Sequence, residues 1–108
     1  MRATVMVGVR RKIPVEVTPQ LRRAVEAYVT APTLRFGRSA LRFGLSDQQI
    51  AALAEARTAV DCPQPHCRVK AGELCINPQG HPMRGKVHTR RVDRAHDALH
   101  QLVAEARS

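Results

Sequence analysis

The sequence predicts a small α-rich (α+β) domain with an N-terminal β element, three helices and a cysteine-based clamp at its centre. Two short N-terminal segments alternate apolar and polar residues with a period of two, as half-buried strands do. Three later segments carry apolar residues at helical spacing. Between the second and the third of these segments, three cysteines fall within fourteen residues, and the rest of the chain has none.

The composition indicates that a hydrophobic core alone would be small. The chain has 108 residues, two Phe, one Tyr and no Trp, and domains of this size often need a metal or a disulfide as a staple. An odd number of cysteines argues against a closed disulfide framework. We also expect a reducing, cytoplasmic environment, because neither a signal peptide nor an apolar run of about 20 residues is visible.

The β element is predicted as a hairpin. Its two segments alternate around Val5, Val7 and Val9, and around Ile13, Val15 and Val17. Residues 10–12 would form the turn, although they lack the usual Asn-Gly signal. Pro14 cannot donate to a ladder, so its strand should lie at an edge of the sheet.

The first helix is predicted to begin at Thr18 and Pro19, an N-cap followed by proline at the first helical position. Pro32 should end it, because proline disfavours helical geometry at Ala31. Its apolar stripe consists of Leu21, Ala24, Val25, Tyr28 and Val29.

Residues 31–45 read as a connector with two similar tetrapeptides, 34–37 and 41–44. We expect Phe36 and Phe43 to fill the core, since large aromatic residues are scarce. The alternative is an arm that grips single-stranded nucleic acid, because arginines alternate with these aromatic side chains.

The second helix is predicted from Ser46 to about Ala59. Ser46 and Gln49 have the spacing of a capping box, and Leu45 can form a staple with Ile50. The inward-facing residues are predicted to be Ile50, Leu53, Ala54 and Val60.

The third helix is predicted from Val87 or His88 to Arg107. Arg90, Arg94 and Gln101 lie opposite its apolar stripe, with Arg91 at the flank. The predicted stripe contains His88, Val92, Ala95, Leu99, Leu102, Val103 and Ala106. We divide the chain into an N-terminal β-hairpin and helical region, 1–59, and a region with the cysteines and the basic helix, 60–108.

Spacing favours one tetrahedral metal site. Cys62, Cys67 and Cys75 are followed by a Gly- and Pro-rich loop and then by His88 at the start of the third helix. Three thiolates and one imidazole are the ligands of a structural Cys3His zinc site. We predict one structural Zn2+ on Cys62, Cys67, Cys75 and His88, with His81 as the alternative fourth ligand. Gly72 and Gly80 would allow the backbone reversals that the two loops need.

Several of these residues also resemble a known family. Cys62-Pro63, Cys67, the segment 71–75, Gly80 and the pair His88 and Arg91 are similar to the DNA-binding phage zinc finger found in actinobacteria and their phages. Leu74 stands where that family usually has proline before the third cysteine. The resemblance covers about residues 60–95 and implies zinc on the same four side chains.

The net charge of +9 favours a polyanionic partner. We expect nucleic acid, DNA rather than RNA, to be bound mainly through its phosphates by the basic residues around the helix start. These residues are Arg84, Lys86, Arg90, Arg91 and Arg94.

The sequence leaves two other functions open. The first is an adaptor that docks on a host or phage nucleoprotein machine, such as RNA polymerase or the ribosome, and the second is a ribbon-helix-helix dimer. An enzyme is not expected, nor are a membrane or a small-molecule substrate as partners. A closed set of four ligands leaves no metal position for water.

Overall fold

The computed structural model describes residues 4–8, 12–31 and 45–107. Strands β1 (Thr4–Val7) and β2 (Ile13–Glu16) come first, followed by helices α1 (Pro19–Thr30), α2 (Asp47–Ala56) and α3 (Thr89–Arg107). The α+β class is therefore confirmed, with three helices and a two-stranded sheet among the described residues. Between α2 and α3 the chain runs through tight turns, and all three cysteines lie in this segment.

The two strands are antiparallel, and Val5 lies opposite Val15. Val5, Val7 and Val15 are buried, as the period of two predicts, whereas Ile13 is 37% exposed at the end of the ladder. Pro14 pairs with Met6 in this two-stranded sheet, so it lies on an edge strand as expected. Residues 10 and 11 of the predicted turn lie outside the described residues, as does Val9.

Helix α1 begins as its sequence predicts. The Thr18 hydroxyl accepts a hydrogen bond from the Leu21 amide at 3.1 Å and donates one to the Ala59 carbonyl at 2.9 Å. The N-cap of α1 is therefore joined to the turn that follows α2. At the other end, Ala31 has extended backbone angles, as expected for a residue before proline.

The capping box of α2 is confirmed, but its predicted buried face is wrong in part. Ser46 and Gln49 exchange the two hydrogen bonds of the box, at 3.2 and 3.0 Å. Ile50 is 42% exposed and Ala54 is exposed, and the helix ends at Ala56 rather than near Ala59. The buried face consists of Ala52, Leu53 and Ala56.

The reason for this difference is the size of the side chains between helices. Alanines allow the backbones of neighbouring helices to approach closely, so the packed face follows Ala52 and Ala56 rather than the largest apolar residue. Ile50 lies about 110° from the centre of that face at 100° per residue. Leu53 and Val60, also predicted to face inward, are buried.

Helices α1 and α2 are antiparallel neighbours. The Gln20 side chain near the start of α1 donates to the Glu55 carboxylate at 2.8 Å and to the Thr58 hydroxyl at 2.9 Å, near the end of α2. Gln48 near the start of α2 donates to the Ala27 carbonyl at 2.7 Å, in the second half of α1. Hydrogen bonds at both ends therefore fix how the two helices align.

Helix α3 packs against β1, α1 and α2. Ala95, Leu99 and Val103 are buried as predicted, while Val92 and Leu102 are half-buried and Ala106 is exposed. The buried face also includes Arg91 and Ala98, which were not assigned to the stripe.

The buried residues form one core that draws on both regions of the chain. Valines of the hairpin, Leu21 of α1, Leu53 of α2 and Leu99 of α3 belong to the same cluster. The division between residues 59 and 60 stays a prediction, although the core crosses it. The predicted roles of Phe36 and Phe43 lie outside the described residues. Within the described part of the chain, no helix is both long and apolar enough to cross a membrane.

Candidate metal centre

The structure brings four predicted ligand side chains together. Single donor atoms of Cys62, Cys67, Cys75 and His88 all lie within 4.8 Å of one another. The Cys62 Sγ and the His88 Nδ1 are 3.4 Å apart. Zinc bond lengths are about 2.3 Å to sulfur and 2.0–2.1 Å to nitrogen, so the sulfur and nitrogen ligands of one tetrahedral zinc ion lie about 3.6 Å apart. The donor set and its spacing therefore fit a zinc ion.

The first two cysteines lie on one tight turn. The Gln64 carbonyl accepts hydrogen bonds from the amides of Cys67 at 3.0 Å and Arg68 at 3.2 Å. Arg68 completes the reversal with a φ of 52°, in the left-handed region that non-glycine residues seldom adopt. This turn directs both thiols toward the same point, and the Cys62 amide ties it to the Val69 carbonyl at 3.0 Å.

The third cysteine starts a small hairpin. The Met83 amide donates to the Cys75 carbonyl at 2.7 Å, and the Asn77 amide donates to the His81 carbonyl at 2.9 Å. Gly80 sits at the tip with a φ of 87°, the left-handed conformation for which glycine was expected. The hairpin leaves the His81 side chain exposed and outside the four-residue cluster, so the structure favours His88 over His81 as the fourth ligand.

His88 is the residue immediately before α3. Its carbonyl accepts the first helical hydrogen bonds, from Arg91 at 2.9 Å and Val92 at 3.1 Å. The His88 Nδ1 faces the cysteines, and its Nε2 lies 3.2 Å from the Nε2 of His66. The positive end of the α3 dipole is thus adjacent to the thiols, where it favours negative charge.

The ionisation of these groups depends on their packing. Burial raises the pKa of Cys62 to about 11, and the neighbouring thiols of Cys67 and Cys75 add to this effect. Burial also acts to raise the pKa of Cys67, but hydrogen bonds from the Ile76 and Val69 backbones outweigh it and lower the pKa. Burial, with His66 and Arg91 nearby, lowers the pKa of His88, which favours the neutral imidazole that binds metals.

The cysteine sulfur atoms accept hydrogen bonds from N–H groups. The Ile76 amide donates to the Cys67 Sγ at 3.3 Å, and the Arg91 Nη1 donates to the Cys75 Sγ at 3.2 Å. Hydrogen bonds of this kind favour the thiolate over the thiol.

Arg91 is buried, which argues against its predicted role as a nucleic-acid contact. Its exposed fraction is 0%. Its Nε donates to the Val60 carbonyl at 2.9 Å, and its Nη1 donates to the Glu73 carbonyl at 2.9 Å. Its Nη2 donates to the carbonyls of Thr58 and Lys70, each at 3.4 Å. The side chain joins the end of α2 to the cysteine loops and offers no surface to a polyanion.

The other four predicted basic residues lie at the surface. Arg84, Lys86 and Arg90 are exposed, and Arg94 is half-buried. Arg90 and Arg94 are one helical turn apart and line a shallow groove with Pro63, which follows the first cysteine. Asp93 and Asp97 line the same groove and reduce its positive charge.

Sequence reasoning missed the contacts of two residues near the site. His66 adjoins Cys67 in the sequence, and its ring meets that of His88 edge-on with centroids 4.9 Å apart. Arg91 was placed at the flank of α3. Ala98 could have indicated that Arg91 faces inward, because it is a small residue seven positions later on the same side of the helix.

Comparison with known proteins identifies the family. No curated protein and no solved structure matched this chain. A family model described as "Putative DNA-binding phage zinc finger domain" matches residues 17–107, which include α1, α2, the cysteine loops and α3. The resemblance noted for residues 60–95 therefore extends over most of the chain, and this protein belongs to that phage zinc finger family.

Proposed function

We propose that this protein is a zinc finger that binds nucleic acid, with one structural zinc ion on Cys62, Cys67, Cys75 and His88. The main support is that the Cys3His cluster lies next to the first turn of α3, a helix with arginines on its solvent side. The membership in a zinc finger family supports it.

The proposed metal is structural rather than catalytic. Four protein donors complete a tetrahedron and leave no position for water or substrate. Zinc on these side chains would join the first cysteine turn, the hairpin after Cys75 and the start of α3. Its role is thus to fix the position of α3 relative to the two loops.

DNA phosphates are the proposed target. Across residues 61–93 the exposed cations are Arg68, Lys70, Arg84, Lys86 and Arg90, against the exposed carboxylates Asp61, Glu73 and Asp93. Phe43 is the last Phe, Tyr or Trp in the sequence. The surface formed by residues 61–93 therefore lacks large aromatic rings for stacking on bases. Phosphate contacts with little sequence preference follow from that composition.

Binding of a short labelled DNA duplex, measured by fluorescence anisotropy over a range of salt concentrations, tests the DNA contacts. The double variant Arg84→Gln with Arg90→Gln should weaken binding and reduce the salt slope by about 2, since each lost phosphate contact lowers it by roughly 1. A matched control is Arg22→Gln with Arg23→Gln, which removes the same charge from exposed positions on α1. Equal effects of the two pairs, or no binding at low salt, would count against this interface.

Metal content tests the ligands separately. Elemental analysis of the purified protein should give one zinc per chain, and Cys67→Ser and His88→Ala should each reduce it. His81→Ala should leave the zinc content unchanged. Loss of zinc in His81→Ala but not in His88→Ala would reverse the assignment of the fourth ligand.

A protein-interaction adaptor is the second candidate, and one observation favours it. Leu74, which directly precedes Cys75, is 49% exposed on the segment that the metal would hold rigid. A rigid apolar side chain at the surface suits contact with a protein partner. Retention of a partner after nuclease treatment, and its loss in Leu74→Ser, would favour the adaptor over DNA binding.

A further inference from the structure

The buried guanidinium of Arg91 has an unusual set of partners. A guanidinium has five N–H donors, and all five are used here. Four go to the backbone carbonyls of Thr58, Val60, Lys70 and Glu73, and the fifth goes to the Cys75 Sγ. Within the described part of the chain none of the five goes to a carboxylate, so neutral carbonyls and one sulfur atom satisfy the hydrogen bonds of this cation.

A buried cation without a counter-charge is costly. Removal of a full charge from water carries a large free-energy penalty, which hydrogen bonds to neutral carbonyls offset only in part. Arg91 is 0% exposed, so solvent cannot screen its charge. The surroundings of this side chain therefore call for a negative charge that the protein alone does not supply as a carboxylate.

The proposed zinc site provides that charge. Three thiolates contribute −3, the ion contributes +2 and a neutral imidazole contributes nothing, so a loaded Cys3His site carries a net charge of −1. The Arg91 Nη1 lies 3.2 Å from one of its sulfur atoms. Site and guanidinium together sum to zero charge.

We infer that Arg91 is the counter-charge of the zinc site, so that the negative site and the buried guanidinium stabilise each other. The inference rests on the proposed zinc binding. It makes Arg91 a positioning residue for the metal, separate from the DNA-binding surface. It also assigns a physical reason to the arginine found one helical turn after the fourth ligand.

Two substitutions separate charge from hydrogen bonding. Both Arg91→Lys and Arg91→Gln lose the five-donor arrangement, but only lysine keeps the charge. Zinc affinity, measured by competition with a chromophoric chelator, should fall at least 10-fold further in Arg91→Gln than in Arg91→Lys. Equal affinities of the two variants would overturn the inference, as would failure of both to bind zinc when the unsubstituted protein binds it.

A change in site charge gives a sharper test. Cys67 accepts hydrogen bonds from the Ile76 and Val69 backbones and not from Arg91, so Cys67→His alters the charge from −1 to 0 without changing the contact of Arg91 with Cys75. The difference between the lysine and glutamine variants should shrink in this background. In a His88→Cys background, where the charge is −2, the difference should grow. An unchanged difference in either background would show that Arg91 acts only through hydrogen bonds and packing.

The two proposals fail in distinguishable ways. If the unsubstituted protein binds no zinc, the zinc site itself is wrong. If it binds one zinc per chain with no dependence on the charge at position 91, only the counter-charge inference is wrong. Absorption of the Co2+-substituted protein gives an independent reading, because its sulfur-to-metal bands report thiolate ligation in every variant that folds.

Discussion

At the candidate metal centre, the ring nitrogens of His66 and His88 constrain each other's protonation. The Nε2 atoms of His66 and His88 are 3.2 Å apart, and a hydrogen bond between them needs one proton and not two. When the Nδ1 of His88 binds a metal, its Nε2 carries the proton and donates. His66 must then accept at Nε2, which places it behind the ligand as the residue that orients the ring.

Substitution of His66 should therefore weaken zinc binding even though His66 is not a ligand. His66→Ala is expected to reduce zinc affinity by about 10- to 100-fold, the usual effect of removing a hydrogen-bond partner from a metal-bound histidine. Chelator competition measures it. His81→Ala is the control, since His81 is also exposed but lies outside the cluster. Similar losses in both variants would contradict the role of His66.

A second residue-scale prediction concerns the core. Leu99 is 0% exposed, whereas Leu74 is 49% exposed. Leu99→Ala should lower the free energy of unfolding by about 2–5 kcal/mol through lost burial and the cavity left behind. Leu74→Ala should change it by less than about 0.5 kcal/mol. Denaturant titration of the zinc-loaded protein provides both values, and comparable losses would contradict the assigned core.

The cysteine positions were predictable because ligand spacing is a local property of the sequence. The burial of Arg91 was not, because it depends on four carbonyls and a sulfur from distant segments converging on one point. An arginine on a basic helix is usually exposed, and only the packing of the loops against α3 decides otherwise. The same holds for His66, whose partner is 22 positions away.

At the scale of elements, the N-caps of α1 and α2 differ in the hydrogen bonds that their side chains make. Among the described residues, Ser46 bonds within its own capping box, whereas the Thr18 hydroxyl both caps α1 and donates to the Ala59 carbonyl, 41 residues away. The local part of each cap is similar. The additional hydrogen bond of Thr18 ties α1 to the turn that leads into the cysteine loops.

Loss of the two caps should therefore cost different amounts. Ser46→Ala is expected to lower the free energy of unfolding by about 1 kcal/mol, and Thr18→Ala by about 2 kcal/mol because a tertiary hydrogen bond is lost as well. Thermal or denaturant unfolding measures both. Thr30→Ala, at the exposed end of α1, serves as the control. A larger loss for Ser46→Ala than for Thr18→Ala would show that the Ala59 contact contributes little.

Element ends were more predictable than element faces. The capping residues at Thr18 and Ser46 act within a few positions, so their signals are complete in the sequence. The inward face of α2 depends on which neighbouring helix approaches and how closely. Small residues such as Ala52 and Ala56 decided that approach, and Ile50 was left at the surface.

At the scale of the whole molecule, the shared core links the proposed metal to the stability of residues far from it. α3 follows directly after the proposed ligand His88 and contributes Ala95, Leu99 and Val103 to the cluster shared with the hairpin and the other two helices. Release of the start of α3 would loosen every element that packs on it.

Removal of zinc should therefore destabilise the domain as a unit. We expect amides of α1, such as those of Leu21 and Tyr28, to lose protection from hydrogen exchange together with amides of the cysteine loops. Cys67→Ser should have the same effect without a chelator. Exchange confined to residues 60–88, with α1 and α2 still protected, would show that the N-terminal region folds independently.

The α+β class and the order of elements followed from periodicity, because each segment has to bury an apolar face of its own. How these segments share one core could not be derived in the same way. Nothing local in the sequence specifies that β1 lies against α3, almost the full length of the chain away.

The pairing of β1 with α3 has a consequence for biosynthesis. The inner face of the hairpin, formed by Val5, Val7 and Val15, leaves the ribosome early, while the helix that packs on β1 is made more than 80 residues later. The donor atoms of Cys62 and His88 are separated by only 26 positions, and this shorter loop closes at an entropic cost about 1 kcal/mol lower. We therefore expect a nascent chain to capture its metal first and to add its first strand last. Until then, the hairpin valines are the apolar surface that chaperones or neighbouring chains would meet.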